Sequence, residues 1–425
     1  MADSGGGSTA KLKSDTSTVF GLGHFLRHHA PKALGGNMLR RWVFVLCGAS
    51  LSVSLAACSQ SIGPERRTPE SPALVESPAA DSPAVQSQSE QEAGSLPAAT
   101  LSAQGNAWVG EGDSPTTKEP ITIAFAGDSY AEGPLAGRLI SDPRRFVGPY
   151  RRVFRDADLV LLNLETAITQ RGTPESKAFT FRSPRRVLGG LRRGGVDVVS
   201  MANNHGMDFG LTGFADSLAA KRAIRSPAII GMGANRREAF APWITSVKGQ
   251  TVGFLAASRV LDDHLMSKWT AGPGKPGLAS AYGGKRLVRG VRRLRSQVDT
   301  VVVYLHWGIE KETCPTYDQQ ELARRLVDAG ADIVVGGHQH RVVGGGMMGN
   351  AVVHYGLGNF LFQAASPGSE RTGVFTVDID GRDVLGYRWI PGRISAAVPY
   401  PLTGEAARSE RRYWRSLRGC TGLRR

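Results

Sequence analysis

Cysteine is scarce in this chain: four in 425 residues, at Cys47, Cys58, Cys314 and Cys420. No two stand at the two-residue gap of a zinc knuckle or a redox pair, which sets both chemistries aside. Acid is short as well, with 37 Asp and Glu against 52 Lys and Arg and a net charge of +15. Residues 1–118 are close to neutral, so the basic excess lies in 119–425. A basic domain favours anionic partners: acidic polymers, phosphate groups or an anionic membrane surface. Surface arginine without a partner is the simpler reading of the same excess. Nucleic acid fits the charge, but no recognition module with the required spacings is present, so it is not expected as a partner. There is no internal repeat. No apolar run reaches the roughly 20 residues of a transmembrane helix. What remains is ordinary: 41% hydrophobic and 7% aromatic residues, a soluble composition with a real core.

The N-terminal part reads as targeting and tether. Arg40 and Arg41 precede an uncharged stretch, Trp42–Val53, too short to span a bilayer. Leu55-Ala56-Ala57-Cys58 follows and resembles a bacterial lipobox, in which the thiol is lipidated and the chain is cut just before it. Residues 38–57 are then a lipoprotein signal peptide, and Cys58 anchors the protein at the extracytoplasmic face of the cell membrane. Met38 is expected to be the true initiator, with 1–37 a mis-assigned start or a disordered leader. Residues 58–118 are rich in Pro, Ser, Ala and Glu and cannot bury enough apolar surface to offset the entropy of ordering. They read as a flexible linker. Outside the cytoplasm, Cys314 and Cys420 are available for a disulfide.

From Ile121 the pattern changes. Ile121–Ala126, Leu159–Leu162, Val196–Ser200, Thr251–Ala256, Val301–Leu305 and Ile333–Val335 are short β-branched or aliphatic runs, read as buried strands. Val187–Gly194, Leu211–Ala223, Leu287–Gln297 and Gln319–Gly330 read as helices between them. Ala351–Tyr355 and Thr372–Ile379 are late strands, the second alternating cleanly enough to suggest antiparallel pairing. The fold class is α/β, with two sheets over 119–400. Residues 401–425 read as a peripheral basic extension.

Chemistry-bearing residues sit where these runs end: Gly127-Asp128, Asn163-Leu164-Glu165, Asn203-Asn204-His205 with Asp208, His306-Trp307-Gly308, Gly337-His338-Gln339-His340 and Gly358-Asn359-Phe360. Polar residues at the carboxyl ends of buried strands converge on one rim of a sheet. Asp, Glu, Asn and His together suit a divalent metal. Asp128 alone is as often a turn residue. Glu165 after an apolar strand is costly unless paired or metal-bound. Two His at i and i+2, flanked by glycine, form the strongest single motif. His264 and His354 lack such context and read as structural or surface residues.

Taken in order, these islands resemble the CapA family of bacterial poly-γ-glutamate capsule proteins, whose domain is similar to a calcineurin-type metallophosphoesterase. The resemblance runs from Ile121 to Phe360. It implies a two-sheet α/β sandwich of metallo-dependent phosphatase type with two divalent ions (Mn, Fe or Zn). One ion would be held by Asp128, Glu165 and His340, and the other by Glu165, Asn204, His306 and His338. His205 would be the general acid, with Asp208 beside it in the motif. Arg182, in Phe181-Arg182-Ser183-Pro184, would contact an anionic substrate. The implied function is a metal-dependent hydrolase acting on a phosphoester or an anionic polymer, alongside capsule or polyglutamate synthase components. The alternative is a non-catalytic accessory protein that binds, exports or anchors the polymer. Three positions depart from the usual phosphatase pattern: Tyr130 replaces the His of Asp-x-His, Glu165 replaces an Asp, and Gln339 stands where Pro is usual. The first two changes are shared by CapA proteins and cast doubt on the first metal position.

Overall fold

The structure is a computed structural model and describes residues 118–425. Met38, the signal segment, the lipobox with Cys58 and most of the linker lie outside the described residues. Thirteen strands carry the architecture. In chain order they begin β1 Ile121–Ser129, β2 Leu159–Leu164, β3 Val198–Ser200 and β4 Ala228–Ile230. Next come β5 Trp243–Val247, β6 Gln250–Ser258, β7 Thr300–His306 and β8 Ile333–Gly337. The series ends with β9 Gly345–Met348, β10 Ala351–His354, β11 Arg371–Asp380, β12 Asp383–Ser395 and β13 Val398–Pro401.

They form two mixed sheets. The first runs β13-β12-β11-β1-β2-β3-β4, parallel from β1 to β4, with β11 joining β1 antiparallel. The second runs β9-β10-β8-β7-β6-β5, with parallel strands inside and antiparallel ones at both edges. The two-sheet α/β architecture read from the sequence is the one observed. Side-chain alternation explains the layering. Ile121, Ile123 and Phe125 meet Phe254, Val302 and Tyr304 in the core between the sheets. On the opposite face of β7, Val301, Val303 and Leu305 pack under the helices with Leu287, Val291, Leu294 and Leu322. Strands buried on both faces read as continuous apolar runs.

Helices cover the outer faces: α1 Arg186–Gly194, α2 Gly210–Ala223, α3 Lys285–Arg295 and α4 Tyr317–Asp328. Thr316 and Gln319 close the start of α4 with a reciprocal capping box, satisfying two otherwise orphaned donors. Among the described residues, no helix is long and apolar enough to cross a membrane.

The C-terminal segment differs from expectation. It is not peripheral: α5, Gly404–Ser416, buries Ala407 and Trp414. The Trp414 indole stacks on Trp389 and donates from Nε1 to His354 Nε2 at 2.9 Å. Cys420 is joined to Cys314, with Cα atoms 5.7 Å apart. The arginine-rich composition conceals a narrow apolar stripe, two residues seven apart on one face of the helix.

Candidate metal centre

The polar residues converge because their strands are in register. Parallel pairing puts Asp128 opposite Asn163, and β7 ends on His306 beside Gly337 of β8. The last turn is tight. A Cβ on Gly337 would lie 2.4 Å from Asp128 Oδ1 and 2.8 Å from the Tyr304 hydroxyl, so only glycine lets the strand approach. His338 and His340 then take positive φ of 93° and 51°, a conformation that costs a non-glycine residue about 1–3 kcal/mol and persists where surroundings enforce it. Here Asp128 Oδ2 accepts from the His338 backbone N–H at 3.0 Å.

Two sets of ligand-type atoms result. Asp128, Glu165 and His340 form one; Glu165, His306 and His338 form the other; within each, all atoms lie within 4.8 Å of one another. Glu165 belongs to both. Asn204 joins the second set, its Oδ1 2.7 Å from His306 Nε2. The donors are carboxylate, imidazole and amide, a combination suited to divalent transition metals. Glu165 Oε1 and His338 Nδ1 are buried with no hydrogen-bond partner among the described residues. Such atoms are expensive to bury unless something satisfies them, and a cation does so. The residues therefore fit a metal centre.

Burial and mutual charge shift the groups of both sets. Burial, then the neighbouring Asp128 carboxylate, pushes Glu165 well above the ordinary range. Burial, reinforced by the other imidazoles, drives His306 well down and His338 to about 3. Both are thus neutral, the form that ligates metal. Burial also pulls His340 down, but Glu165 and Asp128 outweigh it and raise the ring to about 9. His340 Nδ1 lies 3.3 Å from Asp128 Oδ2 and 2.8 Å from Asn359 Oδ1.

His205 stands beside the shared carboxylate, its Nε2 3.8 Å from Glu165 Oε1. Asp208 Oδ2 is 2.7 Å from its Nδ1, which fixes the ring and its tautomer. Burial lowers the His205 pKa. The Asn203 amide oxygen accepts from the His205 backbone N–H, and its amide nitrogen donates to Asn163 and Leu164. Asn163 in turn donates to Asp128 Oδ1 at 2.9 Å. Phe181 packs on His205 and Phe362 on His340, with Tyr130 against both phenyl rings. Tyr130 thus sits in an aromatic cluster, where the phosphatase pattern would have a ligand. Arg182 is exposed. Its guanidinium lies over the Phe209 ring, on the wall of a cavity of about 560 Å³ shared with Glu132 and Arg186. Glu310 is exposed.

The family model of the bacterial capsule synthesis protein PGA_cap matches residues 122–364, more than half of the chain and all six islands. The chain belongs to this family. Among curated relatives it is similar to the PGA biosynthesis protein CapA of Bacillus subtilis, 26% identical over 314 residues, 71% of this chain and 80% of that one. It is also similar to the capsule biosynthesis protein CapA of Bacillus anthracis, 25% identical over 281 residues, 64% and 66% of the two chains. A phosphatase structure from Mycoplasma pneumoniae aligns at 14% identity with a TM-score of 0.41, over 65% of this chain and 94% of that one.

One member of the centre was invisible in the sequence. Lys177, almost fully buried, places its Nζ 3.0 Å from Asp208 Oδ1 and 3.1 Å from Asp262 Oδ2. It also donates to the Asn204 carbonyl and lies over the Trp269 ring. No motif surrounds a lone loop lysine, so nothing in the pattern pointed to it. His264, by contrast, is an exposed residue bonded to the Ser176 carbonyl, and His354 is a structural core residue.

Proposed function

We propose that this protein is a lipid-anchored, extracytoplasmic hydrolase of metallophosphoesterase type, working with two divalent ions in the synthesis of a polyglutamate capsule. The observation that carries the reading is the pair of ligand sets sharing Glu165, with the His205–Asp208 pair alongside. Divalent ions held by Asp128, Glu165, Asn204, His306, His338 and His340 would supply an activated water and charge stabilisation for a displacement at phosphorus. The chain's own residues do the rest. Asp208 accepts a hydrogen bond from His205 Nδ1–H, so Nε2 is the atom that exchanges a proton with the leaving group. Asn163 and Asn203 hold Asp128 and the His205 loop in place. Phe181, Phe362 and Tyr130 exclude water from one side of the centre. Family membership supports the capsule role, and the relatives' names supply the polymer. Lipid anchoring rests on Leu55–Cys58, and the Cys314–Cys420 bond is in keeping with an oxidising compartment.

The test is hydrolysis of bis-p-nitrophenyl phosphate by the full chain with Mn, Fe or Zn added, before and after chelation. The reading expects metal-dependent turnover that falls with His205→Ala while metal content persists. Mass spectrometry of Cys58 checks for the diacylglyceryl group. A second reading, a non-catalytic accessory protein that binds or exports the polymer, is favoured by the net charge of +15. It would survive if His205→Ala left capsule formation intact.

A further inference from the structure

We infer that the arginine-lined groove over Trp389 and Trp414 is a binding site for a carboxylate-rich polymer chain, separate from the metal centre. The polymer's identity rests on the proposed capsule role; the groove itself does not. It has a volume of about 540 Å³, and Arg388, Arg411, Arg415 and Arg418 line it above the two indoles. None of its lining residues belongs to either ligand set, and no acidic side chain lines it.

The charges on α5 are sorted by face. Arg408 and Arg412 both pair with Glu405, and Glu410 takes Arg371 and Arg393. Arg411 and Arg415, one helical turn apart on the groove side, have no acidic partner among the described residues. Like charges at this spacing repel, so the arrangement costs stability unless an anion joins them. The other two guanidinium groups are already oriented. Arg418 lies over the Trp414 ring and donates from Nε to the Gly345 carbonyl at 2.9 Å. Arg388 is held 3.2 Å from Asp378. Guanidinium forks match carboxylates in two-point contacts, and pre-fixed donors lose less entropy on binding. The two indoles beneath them are buried and stacked on each other, which gives the arginines a rigid base. Arg289 and Arg293 on α3 are exposed at the same four-residue spacing and do not line this groove, which makes them a matched control.

The experiment is fluorescence anisotropy of fluorescein-labelled poly-γ-glutamate with the full chain, in chelator so that the metal centre takes no part. Arg411→Glu/Arg415→Glu is compared with Arg289→Glu/Arg293→Glu, which changes net charge equally. The groove pair is expected to weaken binding at least tenfold and the control pair less than twofold. Arg411→Gln/Arg415→Gln should give an intermediate loss, and thermal melts establish that each variant is folded. Equal losses from both pairs would reduce the effect to overall charge and overturn the site, as would unchanged binding in a folded groove variant. A groove variant that loses only binding to anionic lipid vesicles would overturn the polymer as occupant. Hydrolysis of bis-p-nitrophenyl phosphate, measured in parallel with metal, should be unchanged by the groove variant; absence of turnover in the wild type would sink the hydrolase reading and leave the groove standing.

Discussion

Asp208 joins two groups that approach it from opposite sides: His205 Nδ1 lies 2.7 Å from one carboxylate oxygen and Lys177 Nζ lies 3.0 Å from the other. The lysine pairs with the buried carboxylate, and the carboxylate orients the imidazole. His205→Ala should therefore lower kcat by about 10²–10⁴-fold, the usual weight of a general acid, with metal content retained. Lys177→Met should also lower kcat, through Asp208, and should destabilise the fold by about 3–5 kcal/mol because it strands a buried charge. Steady-state kinetics and urea denaturation read the two effects separately. A Lys177→Met variant with normal stability and normal kcat would show that the ion pair positions nothing.

Gly337 should tolerate no side chain. Gly337→Ala drives its methyl into Asp128 Oδ1 and the Tyr304 hydroxyl, with an overpacking cost of about 1–3 kcal/mol. Because Asp128 is the group displaced, the loss should appear in metal content as well as stability. Elemental analysis of the folded variant checks this, and an unchanged metal content would count against Asp128 as a ligand.

His354 should make the fold acid-labile. Burial holds its pKa at about 3, against an ordinary value of 6.5. The unfolded chain therefore binds the proton first, so stability is full above 6.5 and declines as pH falls toward 3. Between pH 7 and pH 4.5 the loss from this one group is about 2–3 kcal/mol. His354→Gln keeps an acceptor for Trp414 Nε1 but does not titrate. Its stability should fall less over the same interval when both proteins are compared loaded with metal. Parallel pH profiles for the two proteins would remove His354 from the account.

The Cys314–Cys420 cross-link spans 106 residues. A loop of that length constrains the unfolded chain by about 2–5 kcal/mol. Reduction, or the Cys314→Ser/Cys420→Ser double variant, should lower the melting temperature by several degrees. Thiol titration of unreduced protein should find neither cysteine free.

Much of the fold was legible because parallel strands buried on both faces leave continuous apolar runs, and β1, β2, β7 and β8 were found that way. The boundaries moved by a few residues: the run Val196–Ser200 becomes strand at Val198, with Asp197 just before it accepting the Val160 N–H on its carboxylate. Strand β12 was missed because Gly386, Pro391 and its arginines break the alternation that would announce it. Helix α5 was missed because its apolar stripe is only two residues wide. At the centre, the residue types at strand ends were legible as candidate ligands because several of them follow buried apolar runs, and the fold brings them together. Lys177 was not, because its partners Asp208 and Asp262 are brought to it only by tertiary folding. Arg182, expected from the resemblance to contact substrate, rests its guanidinium on Phe209 at the wall of a cavity.

The most direct test of the account is metal content of the purified full chain, wild type against Glu165→Gln and His340→Ala, with folding checked by thermal melts. The account predicts about two equivalents of transition metal in the wild type, about one in His340→Ala and little in Glu165→Gln, because only Glu165 belongs to both ligand sets. A folded wild-type protein that takes up no metal, or a Glu165→Gln variant that binds as much as the wild type, would contradict it.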